Sequence, residues 1–310
     1  MNGNICVAPC ASSPLFFAVA AAVLLCAACD NPPLDHADET LHALAMPGEM
    51  QVVYGPVNDE NPFEETGVRH NELVHAVLMS AQSWDTLDIE AMLAHIRGSI
   101  PPWAEAALGV PFDRSEIHVA TAFALRIDST ARHQLASFNA EGYSHREIRY
   151  IRRIGELLRK VCTFPELERD LLALEEEILS EEWPSDLPAE PAARTAISIA
   201  KHSAAYWKHV FCLAAGIDPV TLTRIAGAEG SIGKPAELLV RATTRSQIVM
   251  AADVISGVTA AEHATPLGPM RQLEAAIISG GAVSIIVATI VYFDEIINFF
   301  SSIGDWLSNR

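Results

Sequence analysis

Several groupings in this 310-residue chain carry residue types that could do chemistry. Ala228–Pro235, AEGSIGKP, has the outline of a phosphate-binding loop. Such a loop needs Gly where Ala228 stands and Ser or Thr where Pro235 stands, so the Mg²⁺-binding hydroxyl is missing. His202, His209 and Cys212 have helical spacing, and with Cys162 they could complete a tetrahedral zinc site. Beside Trp207 and Phe211 the same residues read instead as core. His70 and His75 are five apart rather than four, and no Glu stands between them in the order a metalloprotease requires. There is no G-x-S-x-G either. No catalytic residue, metal or cofactor is therefore assigned. Asp253 is the odd carboxylate, set among small apolar residues in AADVISGVTAA. If buried, it needs a partner, because an unpaired charge is costly away from water.

The formal net charge is −18. So acidic a chain argues against a nucleic-acid partner, since phosphate binding needs clustered Lys and Arg. The exception is Arg146, Arg149, Arg152, Arg153, Arg159 and Lys160. They are expected on the wet face of one helix, neutralised by acidic neighbours. Residues 1–29 form a leader, with the apolar run Leu15 to Ala28 followed by Cys29. Its end, LCAAC, resembles a bacterial lipoprotein signal. That implies export and a lipid such as palmitate on Cys29, holding the protein to a membrane of the cell envelope. An ordinary secretory signal is the alternative. Cys162 and Cys212 then remain as either a disulfide pair or two separate buried thiols.

Stepping along the chain, strand signals are nearly absent and apolar residues recur at threes and fours, so the expected class is all-α. The anticipated architecture is a multi-helix bundle with a close-packed C-terminal helical hairpin over 235–307. Residues 30–66, acidic and rich in Pro and Gly, read as a tether. A helical region covers 67–182, beginning near Asn71, with a break at Gly98 and Pro101–Pro102. A further long helix is expected from Glu116 to Phe138. Ser144 with Glu147, and Thr163 with Glu166, are capping-box patterns opening two more helices. Glu175, Glu176 and Glu177 read as a solvated face. A Pro-rich linker, 183–192, leads to the second helical region, 193–310.

Within that region Ala276, Gly280, Ser284 and Ala288 are spaced by fours. The preceding helix offers Ala252, Ser256 and Ala260, and on an adjoining face Asp253, Gly257 and Ala261. Residues four apart share a helix face, and small side chains let two backbones approach closely. The two helices are expected to pair along these stripes. Ala275 to Phe293 is also free of charge. It is either the central helix of a bundle or a transmembrane helix, 275–293.

Three segments carry a further resemblance. Asn61–Asn71 holds Gly67-x-x-His70-Asn71, Ala200–Val210 holds Ser203-x-x-Tyr206-Trp207, and Ala251–Ala261 holds an Asp-x-x-Gly-like pair, Asp253 and Gly257. These are similar to segments of an uncharacterised family of bacterial secreted proteins and lipoproteins with small-residue-rich apolar C-terminal ends. The resemblance implies an exported helical protein and supplies no activity. It directs attention to His70, Asn71 and Asp253, as a polar cluster with a structural or a functional role. Gly67 is expected in a turn, and Asn71 as the cap of the first helix. The leading expectation is a lipid-anchored protein that binds a protein or a membrane surface. The alternatives are a membrane-active protein, toxin- or channel-like, that inserts its C-terminal hairpin, and an enzyme using His70, Asn71 and Asp253.

Overall fold

The computed structural model describes residues 52–80, 89–109, 130–181, 191–214, 234–264 and 271–288. All lie within one compact unit, Leu41–Arg310. The leader, Cys29 and the acidic stretch up to residue 51 fall outside the described residues. So do most of the region expected as a long helix from Glu116, the Pro-rich linker up to residue 190, the phosphate-loop-like stretch up to residue 233, and everything after residue 288.

The described residues are all-α, with no strands. The helices are α1 (Glu64–Ser80), α2 (Ile89–Leu108), α3 (Ala131–Ala136), α4 (His145–Leu157), α5 (Phe164–Ser180), α6 (Pro191–Ala214) and α7 (Lys234–Ala264). The last is α8 (Arg271–Ala288). Residues 52–61 form an extended strap that leads into α1.

The caps follow from sequence. Ser144 Oγ accepts from Glu147 N at 3.2 Å, and Glu147 Oε2 accepts from Ser144 N at 2.9 Å, which fixes the start of α4. Glu166 Oε2 accepts from Thr163 N at 2.8 Å and so opens α5. From there Ile148, Ile151, Ile154 and Leu158 of the α4 segment, and Leu167, Leu171, Leu174 and Ile178 of α5, turn into the core. Each such side chain contributes roughly 1.5–3 kcal/mol when fully buried. The outward arginines of α4 meet the acidic end of α5. Arg149 Nη2 reaches Glu181 at 3.0 Å, Arg146 reaches the same carboxylate at 3.3 Å, and Arg153 pairs with Glu177. Arg146, Arg149 and Arg153 are thus spent within the protein.

The centre belongs to α6, which packs on α1, α4, α5 and α7. Every side chain from Thr195 to Trp207 is buried. The C-terminal pair α7 and α8 is close-packed. Ser256 Oγ donates to Ser279 O at 3.1 Å, and a Cβ on Gly257 would lie 3.4 Å from Ala276 O. Residues 280–288 of α8 are buried on every face. α8 is long and apolar enough to cross a membrane, with a mean hydropathy of 1.3 over 18 residues, and about 67% of it is buried within the bundle.

Several local expectations need correction. Gly67 and Asn71 are not a turn and a cap; both lie inside α1, which starts at Glu64. The helix continues through Gly67 because the loss of propensity, about 1 kcal/mol, is outweighed by close contact with α6. α2 runs unbroken through Pro101 and Pro102. Exposed Gly98 leaves the backbone there open to water, while Ile96, Ile100 and Ala104 anchor the helix on its core side. Glu175 is not solvated but only 1% exposed, since its spacing from Leu171 and Ile178 places it on the inward stripe. Cys162 and Cys212 are two separate buried thiols and not a disulfide. Cys162 sits ahead of α5, where its sulfur accepts from Gln247 Nε2 at 3.4 Å, whereas Cys212 belongs to the end of α6.

Candidate functional site

Segments far apart in sequence meet where α1, α6, α7 and α8 touch. Gly67 makes the first approach possible. A Cβ there would lie 2.4 Å from Ser198 O and 2.6 Å from the His202 ring, so any side chain would drive α1 off α6. One turn on, Asn71 uses both amide hydrogens. Its Nδ2 donates to Val53 O and to His202 O, each at 2.8 Å. That turns Asn71 Oδ1 toward His70, whose Nδ1 lies 3.1 Å away. The oxygen is an acceptor, so His70 carries its proton on Nδ1 and points the other ring nitrogen inward. His70 Nε2 faces Asp253 Oδ2 at 3.6 Å, and the backbone of Gly280 adjoins the same ring.

Asp253 is fully buried on α7. Ser203 Oγ of α6 donates to its Oδ2 at 2.5 Å, and Ser284 and Trp207 also face the carboxyl. Burial raises the Asp253 carboxyl well above its ordinary range, against the pull of these three groups. Burial likewise lowers His70 from 6.5 to about 4, opposed by its hydrogen bond with Asn71. Burial therefore favours the uncharged form of both groups, a dry contact between polar side chains rather than the desolvated charges of a salt bridge. Tyr206 is buried beside it, edge-on to His75 at 6.2 Å and to Trp207 at 5.5 Å, and burial raises its hydroxyl.

A second network adjoins the first through His202. Lys201 Nζ lies 2.8 Å from Glu64 Oε1 and 2.9 Å from both oxygens of Glu175. Asn61 Nδ2 donates to Glu175 Oε1 at 3.1 Å. His202 Nε2 sits 2.8 Å from Glu64 Oε1, while its Nδ1 accepts from Gly55 N at 3.0 Å. Burial works against the charge on Glu64, but hydrogen bonds from His202 and Lys201 hold its carboxyl below the ordinary value. His202, a zinc candidate on spacing, is thus committed to Glu64 and Gly55. Among the described residues no cluster of three or more His, Cys, Asp or Glu is arranged to hold a metal.

The resemblance pointed to Gly67, His70, Asn71, Tyr206, Trp207, Asp253 and Gly257, of which the fold brings His70, Asn71, Trp207 and Asp253 into one polar cluster, joined by Ser203. Gly257, Ala276, Gly280 and Ser284 lie along the adjoining α7–α8 contact. A Cβ on Gly280 would be 3.2 Å from His70 Cδ2 and 3.4 Å from Asp253 O. Ala288 is buried further along α8, and Cys162 and Cys212 are not members of the cluster. The network of Glu64, Glu175 and Lys201 escaped the sequence reading. Its signal was Lys201 and His202 within the otherwise apolar and small run ISIAKHSAAYW, where each needs an internal partner.

His70, Asn71 and Asp253 are all at most 1% exposed. They can lock four helices together and hold a proton away from water. They cannot meet a substrate while the bundle is closed. A small pocket bounded by Tyr143, Ala192, Ala261 and Leu273 contains none of them. Comparison of the chain with protein-family models, curated proteins and solved structures gives no match.

Proposed function

We propose that this is an exported, lipid-anchored helical protein that acts by binding a protein or a membrane surface. The observation that carries the reading is the placement of its polar chemistry. His70, Asn71, Lys201, Glu175 and Asp253 are all internal and bonded to structure, which leaves the outer faces of the helices as the working part. The leader ending in Cys29 supports export and acylation. It also agrees with the resemblance to secreted proteins and lipoproteins. A second reading is a membrane-active protein that releases the α7–α8 hairpin into a bilayer. It is favoured by the length and apolarity of α8.

Mass analysis of the mature N-terminus, with fractionation of wild type and Cys29→Ala, tests both. The expected result is acylated Cys29, with wild type in membranes and the variant released by carbonate. An unmodified Cys29 overturns the anchor. A Cys29→Ala protein that resists carbonate supports insertion of α8 instead.

A further inference from the structure

The internal pairs of the basic run leave one of its arginines over. Arg146, Arg149 and Arg153 meet Glu181 and Glu177, and Lys160 Nζ reaches Asp170 at 2.7 Å. Arg152 turns toward α3, and its Nε donates to Phe138 O at 2.6 Å. Arg159, in the turn after α4, is exposed and has no such partner among the described residues.

The packing of α3 on α4 decides what Arg159 faces. Arg152 meets Phe138 just beyond the end of α3. Further along α4, Gly155 presses on the last turn of α3, where a Cβ would lie 2.6 Å from Leu135 C. Moving forward along α4 therefore moves backward along α3, so the two run antiparallel. One further turn on each side brings Arg159 to Arg132. Arg132 is half-buried, and its Nε is shut off from water without a hydrogen-bond partner. Burial, and then the charge of Arg159, hold its guanidinium below the ordinary value, and no carboxylate among the described residues offsets them. Glu156, a turn before Arg159, is exposed and pairs with neither arginine. In a chain of net charge −18, two arginines are thus held together by the backbone with nothing negative between them.

Like charges so placed repel, and an anion set between them turns that cost into attraction. A guanidinium offers parallel N–H donors to two oxygens at once. A planar carboxylate fills one such fork, whereas a tetrahedral phosphate has oxygens for two. We propose that Arg132 and Arg159 form a phosphate-binding site at the α3–α4 corner, entered from the exposed Arg159 side. The phosphate is a free ion or part of a lipid headgroup, and the recognition chemistry is the same for both. The site stands whether or not Cys29 is acylated.

The full chain carrying Cys29→Ala, so that no acyl group contributes, is titrated with inorganic phosphate at constant ionic strength while arginine ¹⁵Nε signals are followed. The Arg132 and Arg159 signals are expected to shift saturably, with a dissociation constant on the order of 1 mM. Arg271, paired with Glu274 on α8, is expected to stay unchanged. Arg159→Gln, a change at an exposed position, is expected to weaken binding by about tenfold or more. If it does not fold, Arg159→Lys keeps the charge without the fork and is expected to weaken binding in the same direction. Absence of saturable shifts at the two arginines, equal shifts at Arg271, or undiminished affinity in the folded variant each overturns the proposal. Sedimentation with phosphatidylglycerol against phosphatidylcholine vesicles then separates the sources. Pelleting with phosphatidylglycerol alone, lost in the variant and competed by phosphate, assigns the headgroup; with the shifts in place, any other result assigns the free ion.

Discussion

At the scale of single residues, the two buried titratable partners make opposite demands on pH. His70 is neutral in the fold down to about 4, whereas the unfolded chain takes up that proton near the ordinary 6.5. Its contribution is therefore complete above about pH 6.5 and is lost as pH falls toward 4, a total of about 3 kcal/mol. Urea midpoints at several pH values are expected to show this slope in wild type and a shallower one in His70→Gln. Asp253 runs the other way. Its folded carboxyl is raised, so its contribution is full below the unfolded value near 3.9 and is lost as pH rises. Asp253→Asn keeps the shape and an acceptor for Ser203, and needs no proton. It is expected to gain stability relative to wild type as pH rises, with the gain vanishing near pH 4. A variant less stable at pH 7 than at pH 4, relative to wild type, would show that the carboxyl is ionised in the fold. Lys201→Met should be severe, about 3–5 kcal/mol at neutral pH, because it leaves Glu64 and Glu175 buried without their cation.

Between elements, the decisive contacts are close approaches of backbone. Gly67 lets α1 lie on α6, while the absence of a side chain at Gly257 admits Ile199 of α6 and at Gly280 admits the ring of His70. Gly67→Ala improves helix propensity by about 1 kcal/mol, yet its methyl group would meet the carbonyl of Ser198, which is backbone and cannot move aside. The expected net result is a loss of about 1–3 kcal/mol, seen as a lower melting temperature, with the strap loosened along with α1. Gly98→Ala, whose Cβ would meet nothing within 4 Å, is the control and should stabilise α2. The α4–α5 ion pairs are a different case. They are partly exposed, and replacing Arg153 or Glu177 should cost under about 1 kcal/mol.

For the molecule as a whole, what was legible in the sequence depended on how local the cause was. Capping at Ser144 and Thr163 is decided within four residues, so those helix starts could be read directly. The small stripes on α7 and α8 were legible because they repeat every fourth position. The all-α class followed from periodicity along the whole chain. Gly67 and Asn71 were misplaced because their neighbours, Ser198 and His202, lie more than a hundred positions away. By local rules alone a glycine and an asparagine belong at a helix end. The prolines of α2 failed for the same reason: long-range packing of Ile96 and Ile100 outweighs a local breaker. Glu175 was hidden within a run of like residues whose other members do face water. His70, Asn71 and Asp253 were found as names, but their meeting with Ser203 is a tertiary fact.

The position of α8 has a consequence in time. The helix that fills the space between α1 and α7 is made after every described element it packs against. Until it arrives, Leu73 lacks the contact with Gly281, and His70 and Asp253 lack Gly280 and Ser284. The core between α1 and α7 therefore cannot close until α8 has been made. A chain ending before Arg271 is expected to bind hydrophobic dyes and to yield quickly to protease, while the complete chain resists both. Such delay would suit the export proposed above, in which the chain is threaded through a membrane before it folds.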